Sequence, residues 1–259
     1  MENLSDRQVE ITALLREADF LSVENLSERF SVTAQTIRRD LNTLCEAGLA
    51  RRRHGGVEKS LSAENLAYGY RQVLLRGEKQ AISRAVASQI PDGASVAFSI
   101  GTTPERVAAA LLQHKDLRVF TNNLNIALLM CSNPTFEVNV AGGQVRNSDG
   151  DVLGPGMERF LSSYLFDFGI YGVAGVESDG TLVDFSEREV RARELIHENS
   201  RTTMLVLDHS KFGRAAHVRG GQITDIAKIF TDRQPPKNIV DQVANSAAEL
   251  VICEEGLTS

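Results

Sequence analysis

From about Gly77 onward, apolar strand-like runs alternate with helical stretches, and this alternation restricts the possible architectures more than any other feature of the sequence. The runs are SVAFSI (95–100), RVFTN (118–122), FEVNVAGG (136–143), FGIYGVAGV (168–176), TTMLVLD (202–208), AKIFTD (227–232) and LVIC (250–253). Strands alternating with helices imply a parallel, doubly wound sheet covered on both faces. The expected fold class over residues 77–259 is therefore α/β.

The first 57 residues follow another pattern. Ser5 to Ala18 carries Val9, Ile11, Leu14 and Leu15 at helical spacing, with Ser5 as N-cap. Val23 to Phe30 repeats the pattern after Ser22, and Ser31-Val32 breaks it. Thr33 caps a third helix whose buried stripe is Ile37, Leu41 and Leu44, and Gly48 suits its C-terminal end. LARRRHGGV then reads as a short β-wing turning at Gly55-Gly56. Three helices and a wing make a winged helix-turn-helix over residues 1–57; residues 58–76 lack a clear period and read as a linker.

A helix-turn-helix presents the N-terminal side chains of its second helix to the major groove. Thr33, Ala34, Gln35, Thr36, Arg38 and Arg39 lie off the apolar stripe, on the side free to meet DNA. Gln35 has the chemistry to read an adenine edge, and Arg38 or Arg39 to pair with guanine or phosphate. Arg51, Arg52, Arg53 and His54 suit backbone contact, which positions without specifying sequence. Three short amphipathic helices also make ordinary bundles, and a charge run also makes a solvated face. The net charge of −6 at first argues against a nucleic-acid partner. Its distribution answers that: residues 38–59 hold six basic residues against three acidic, whereas residues 1–37 hold three against seven. Attraction to phosphate needs only a local patch.

These N-terminal residues closely resemble a known signature. Arg7, Ile11 and Leu15, the run from Thr33 through Ile37-Arg38-Arg39-Asp40-Leu41, and Arg53-His54-Gly55-Gly56 are similar to the helix-turn-helix of the DeoR family of repressors. The resemblance implies that this module binds operator DNA. Arg51, Arg52 and Arg53 in a row depart from the pattern in a way that alters phosphate contacts rather than fold.

In an open parallel sheet, ligands sit beyond the carboxyl ends of the strands, where helix N-termini offer N–H groups. Ile100-Gly101-Thr102-Thr103-Pro104 is such a junction: Gly101 permits the turn, Thr102 and Thr103 offer hydroxyls, and Pro104 opens the helix. Alone, it reads equally as capping. The other strands also end in polar residues or glycine: Asn122-Asn123, Gly142-Gly143 with Arg146 beyond, Asp179-Gly180, and Asp208 with Ser210 and Lys211. Lys211 supplies a point charge for phosphate, and the carboxylates and amides suit hydroxyls. Glu187, Glu189 and Arg191 belong either to the same pocket or to a salt bridge on a helix surface.

IGTTPE (100–105), TNNLNIA (121–127), AGG (141–143), DFGIYGVAG (167–175), SDGTL (178–182), ENSR (198–201) and DHSKFGR (208–214) resemble the sensor domain of the same family. That domain is related to ribose-5-phosphate isomerases and amino-sugar-phosphate deaminases. The resemblance implies a phosphorylated small-molecule inducer, glycerol 3-phosphate, with another sugar phosphate such as a phosphorylated ketose as an alternative. An isomerase or deaminase carrying an accessory DNA-binding domain is the alternative in another class. Against it, Thr181 stands where the deaminases carry a histidine after their Asp-Gly pair, and a hydroxyl cannot do an imidazole's proton transfer. His54, His114, His197, His209 and His217 form no motif, and no catalytic residue, metal cluster or cofactor is expected. No apolar run is long enough to span a bilayer, the N-terminus MENLSDRQVEI is unlike a secretory signal, and Cys45, Cys131 and Cys253 are widely spaced. These features point to a cytoplasmic chain with no membrane partner, and helix-turn-helix readout points to a homodimer or homotetramer.

Overall fold

The computed structural model describes residues 4–18, 20–46, 49–59 and 68–254, and the chain divides into two units, Met1–Leu74 and Leu75–Ser259. The first unit contains α1 (Asp6–Glu17), β1 (Phe20–Ser22), α2 (Val23–Phe30), α3 (Ala34–Glu46), β2 (Ala50–Arg53), β3 (Gly56–Lys59) and α4 (Tyr68–Val73). Ser5 caps α1 through a capping box: its hydroxyl accepts from Gln8 N–H, and the Gln8 side chain accepts from Ser5 N–H at 3.0 Å. Ser22 caps α2, and the Thr33 hydroxyl accepts from Thr36 N–H at 3.2 Å where α3 starts. Between α2 and α3 the chain turns through Ser31, which is left-handed at φ 51°.

Ile11, Leu15, Val23, Leu26, Ile37, Leu41, Leu44 and Val57 form the core of this unit. Asp40, buried on α3, accepts from Arg7 Nε at 2.6 Å and Gln8 Nε2 at 2.9 Å, tying α3 to α1. The wing is an antiparallel sheet in the order β1-β3-β2, turning at Gly55, whose φ is +79°. The position suggested for the C-terminal cap of α3, Gly48, and residues 60–67 lie outside the described residues. At the two ends of the segment read as linker the structure differs from that reading: β3 runs on to Lys59, and α4 spans Tyr68–Val73.

The second unit runs α5 (Arg76–Ala87), β4 (Ser95–Phe98), α6 (Thr102–Ala110), β5 (Arg118–Thr121), α7 (Leu124–Met130), β6 (Glu137–Val140), β7 (Val145–Arg146), β8 (Asp151–Val152), α8 (Pro155–Ser162) and β9 (Phe166–Tyr171). It continues with β10 (Gly175–Val176), β11 (Thr181–Asp184), α9 (Glu187–Glu198), β12 (Ser200–Val206), β13 (Val218–Gln222), β14 (Lys228–Thr231), α10 (Lys237–Ala244) and β15 (Glu249–Ile252). All seven apolar runs supply strands of one sheet, in the order β15-β14-β12-β9-β4-β5-β6, and every neighbouring pair is parallel. Alternate residues feed two cores, as a doubly covered sheet requires. Val96, Phe98, Val119 and Phe230 pack with α5, α6 and α7, whereas Ala97, Phe120, Tyr171 and Ile229 pack with α8, α9 and α10. From β4 the chain winds outward through β5 and β6; from β9 it winds the other way through β12, β14 and β15. The winding therefore reverses between β4 and β9. A small antiparallel sheet, β10-β11-β13, and the β7–β8 hairpin complete the unit; the apolar-run pattern does not announce either.

Gly56 sets the fit of the wing, because a Cβ there would stand 2.0 Å from the Leu21 carbonyl oxygen of β1. Gly56→Ala is therefore expected to destabilise the N-terminal unit by about 1–3 kcal/mol, the usual cost of overpacking. A lowered urea midpoint for that unit, with the sensor unit's transition unmoved, is the measurement.

Candidate functional site

On the N-terminal unit, Gln35, Arg38 and Arg39 are exposed on α3, away from buried Ile37, Leu41 and Leu44. Thr33 and Thr36 join hydroxyls at 2.9 Å at the start of the helix, so part of their hydrogen-bonding capacity is used locally. Arg51, Arg52, Arg53 and His54 are exposed on the wing. Their charges are not equivalent. Arg51 and Arg53 share Glu58, at 3.6 and 3.4 Å, and Arg53 also lies over the Phe20 ring. Arg38, Arg39 and Arg52 make no ion pair among the described residues.

On the sensor unit, the winding reverses between β4 and β9, the place where an open parallel sheet is expected to form a crevice at the carboxyl ends of its strands. The chain leaves β4 through Ser99, Ile100 and Gly101, and α6 begins at Thr102 with no side chain capping its first turn. Gly101 has a φ of +135°, a conformation that disfavours any other residue there. Thr102 and Thr103 are buried, and the Thr102 hydroxyl accepts from Lys79 Nζ at 3.1 Å. Lys79 belongs to α5 and is only 3% exposed.

Across the crevice, beyond β12, Asp208 accepts from the backbone and hydroxyl of Ser210, and Lys211 N–H closes the turn on the Asp208 carbonyl at 3.0 Å. Burial works against a charged Asp208, yet Lys211, Lys79 and the Ser210 hydrogen bonds outweigh it and hold the carboxyl below its usual range. Lys211 also acts on Asp184, at the end of β11. Asp184 accepts from Ala174 N–H at 2.8 Å, and its other oxygen lies 3.2 Å from both Nε and Nη2 of Arg193 on α9. Further along α9, Glu189 lies 2.6 Å from Arg146, which also makes a bidentate pair with Asp151 at 3.0 Å and reaches Asp149 at 3.5 Å. Burial pushes Asp184, Glu189 and Asp151 above the usual carboxylate range against the pull of their arginines.

Of the residues singled out in the sequence, Gly101, Thr102, Asp208, Ser210 and Lys211 thus surround one end of a charged track, and Glu189 and Arg146 lie at its other end. Asn122 and Asn123 are buried between β5 and the β7–β8 hairpin. Asn123 caps α7 through Asn125 and Ile126 N–H, while Asn122 donates to the Val152 carbonyl and leaves its own Oδ1 without a partner among the described residues. Gly142 and Gly143 are exposed, and the Gly142 carbonyl is where Gly156 comes close. Asp179 is exposed and accepts from Thr181 N–H of its own turn at 3.0 Å. Glu187 is exposed at the start of α9, and Arg191 pairs on the helix surface with Glu158, Glu194 and Glu198.

Sequence reasoning missed Lys79, Asp184, Arg193, Asp149 and Asp151. Only the fold brings them together. Glu78, His209 and Asp232 offer ligand atoms within 4.8 Å of one another. A hydrogen bond from His209 to Asp232 and the nearby Arg233 guanidinium, 3.5 Å from Asp232 and 3.7 Å from Glu78, account for these groups without a metal.

The chain matches two families along its length: the DeoR-like helix-turn-helix domain over residues 7–62 and the DeoR C-terminal sensor domain over residues 76–233. It belongs to the DeoR family. It is 44% identical to the glycerol-3-phosphate regulon repressor of Escherichia coli over 94% of this chain and 96% of that protein. The repressor of the same name from Haemophilus influenzae is 44% identical over 95% and 96%. The E. coli HTH-type transcriptional repressor CsqR is 36% identical over 96% and 95%. A solved ribose-5-phosphate isomerase shows a remote likeness, 13% identical with a TM-score of 0.37 over 52% of each chain. By its family and these repressor relatives, the chain is a DeoR-type transcriptional repressor, with a DNA-binding domain and a sensor domain. No helix among the described residues is long and apolar enough to cross a membrane.

The Asp184–Arg193 pair gives a test of the track's energetics. Arg193→Met leaves a buried carboxylate uncompensated and is expected to cost about 3–5 kcal/mol at about pH 7. Asp184 has a folded-state pKa above its unfolded one, so the folded chain takes up its proton first as pH falls and gains stability in that window. Without Arg193 the window widens upward, so the deficit should shrink by about pH 5. Equal deficits in urea unfolding at the two pH values would contradict this account.

Proposed function

We propose that this repressor holds its operator through α3 and the wing, and that glycerol 3-phosphate bound at the crevice between β4 and β9 releases it. The observation that carries the reading is the environment of Thr102. A buried lysine, a second lysine and the first turn of α6 converge there beside Asp208. A helix N-terminus with two ammonium groups suits a phosphate. The far end of the track has the opposite character, with Arg146 facing Asp149, Asp151 and Glu189. That end repels phosphate and suits hydroxyl donors, so the ligand lies with its phosphate toward Lys79 and Lys211 and its hydroxyls toward Asp184 and Glu189. In this reading Gly101, Thr102, Thr103, Lys79, Ser210 and Lys211 bind the phosphate. Two relatives 44% identical to the chain are named glycerol-3-phosphate regulon repressor, and a three-carbon polyol phosphate matches this polarity. Another sugar phosphate is the alternative, since the same polarity suits any ligand with a phosphate at one end and hydroxyls at the other.

In the DNA-reading unit, Gln35, Arg38 and Arg39 take the base edges, with Thr33 and Thr36 at the helix start and Arg51, Arg52, Arg53 and His54 on the backbone. Such modules act on paired half-sites, so the repressor works as a homodimer or homotetramer.

Two measurements test these assignments. Arg39→Ala should weaken operator binding by about 1–3 kcal/mol if the side chain reads a base, and the gel-shift affinity of Arg38→Ala should fall similarly; unchanged affinity in the double variant refutes the assignment. Lys211→Ala should fold and bind operator normally but lose response to glycerol 3-phosphate, because removing one partner of a charged contact costs about 2–5 kcal/mol. Titrating glycerol 3-phosphate with and without operator measures the coupling, which linkage makes equal in both directions. Equal ligand affinities in the two titrations would rule out this metabolite as the inducer.

A further inference from the structure

His209 lies outside the proposed ligand contacts, yet the structure gives it two bonds to one buried carboxylate. Its backbone N–H donates to Asp232 Oδ1 at 2.6 Å, and its Nδ1 lies 2.6 Å from Asp232 Oδ2. A carboxylate accepts, so Nδ1 is the nitrogen that carries the hydrogen. Asp232 follows β14 directly, and its side chain is 3% exposed. Arg233 then joins this carboxylate, at 3.5 Å, to Glu78 on α5, at 3.7 Å. The result is a chain of contacts, His209–Asp232–Arg233–Glu78, running from the loop after β12 to the first turn of α5.

The ends of that chain are informative. Glu78 is the immediate neighbour of Lys79, and His209 stands two residues before Lys211 in a single tight turn. The two lysines therefore ride on two different elements, and the chain of contacts links those elements. Lysine has a long flexible stem, so the position of its backbone decides whether its charge arrives where it is needed. On one side the turn is fixed by Asp208, through Ser210 and Lys211 N–H. On the other, the backbone and side chain of His209 tie it to Asp232.

We propose that His209 and Asp232, with Arg233 and Glu78, are positioning residues that set the separation of Lys79 and Lys211 for phosphate binding. The proposal rests on the phosphate reading given above. None of the four touches the ligand; they act by holding the turn and the first turn of α5 in register. Small misplacements of charged groups cost heavily, because a charge-assisted hydrogen bond weakens steeply with distance and angle.

The test uses the full chain and two probes, inorganic phosphate and glycerol 3-phosphate, measured by isothermal titration. His209→Ala removes the side-chain bond and should weaken both probes about tenfold, the loss expected for one charge-assisted hydrogen bond. His209→Asn places an amide N–H where Nδ1 stands, and should bind within about threefold of the native chain. Operator affinity without ligand should be unchanged in both variants, and both should keep a cooperative thermal transition. Native-like binding by His209→Ala overturns the proposal, as does equal loss in the Asn and Ala variants. Lys211→Ala in the same assay separates the two claims. If Lys211→Ala binds both probes normally, the phosphate reading itself fails. If it loses them while His209→Ala does not, only the positioning role fails.

Discussion

The reversal of winding between β4 and β9 is the constraint on which the rest of the sensor unit depends. Two adjacent parallel strands whose connections leave in opposite directions cannot have their loops packed against each other, so a crevice opens above their carboxyl ends. Several of the buried charged groups of this unit lie near the ends of these strands. The first turn of α6 starts at the edge of the crevice because Gly101, at φ +135°, turns the chain sharply after β4. α5 and α6 share one apolar core, through Ile82, Val86, Val107 and Ala108, which brings Lys79 of α5 to the hydroxyl of Thr102. On the other face, α9 packs through Leu195 and Ile196, and this brings Arg193 and Glu189 to the same edge.

Buried charges seldom stabilise a fold outright, because the desolvation penalty rivals the attraction. Here four cations, Lys79, Lys211, Arg193 and Arg146, stand against five carboxylates, Asp208, Asp184, Glu189, Asp149 and Asp151. Apolar residues of similar volume would serve stability as well. The charged version gives the edge a direction, cationic where α6 begins and acidic around Arg146. A ligand with a phosphate at one end and hydroxyls at the other has matching polarity, and a purely apolar crevice would have none.

How much of this was legible in the sequence depends on the range of the interactions. The seven strands of the main sheet were legible because burial on both faces writes a local apolar run for each. Ser5, Ser22 and Thr33 were legible as caps because capping is decided within three residues. The β10-β11-β13 sheet was not, since Gly175-Val176 is two residues long and VRGGQ carries no alternation. Gly101-Thr102 and Asp208 with Lys211 were found through their strand-end position. Lys79 sits in an unremarkable helical stretch 23 residues before its partner Thr102, and no local pattern marks it. Arg193 is likewise one more charge on a charged helix until Asp184 is seen beside it.

The same logic of local and distant partners governs the DNA-reading unit. An acidic chain of net charge −6 can meet DNA only through a patch that its own carboxylates leave available. On the wing, Glu58 holds Arg51 and Arg53 at 3.6 and 3.4 Å, so a phosphate reaching either must compete with an internal carboxylate. Asp40 does not subtract from the patch on α3, because it is buried and turned toward Arg7 and Gln8 of α1. It holds the helix that presents Arg38 and Arg39 while leaving their charges outward. The cations of this unit without an ion pair among the described residues are thereby Arg38 and Arg39 on the exposed side of α3 and Arg52 on the wing. Among the described residues the cations of α3 face no such internal carboxylate, which sets the helix apart from the wing electrostatically.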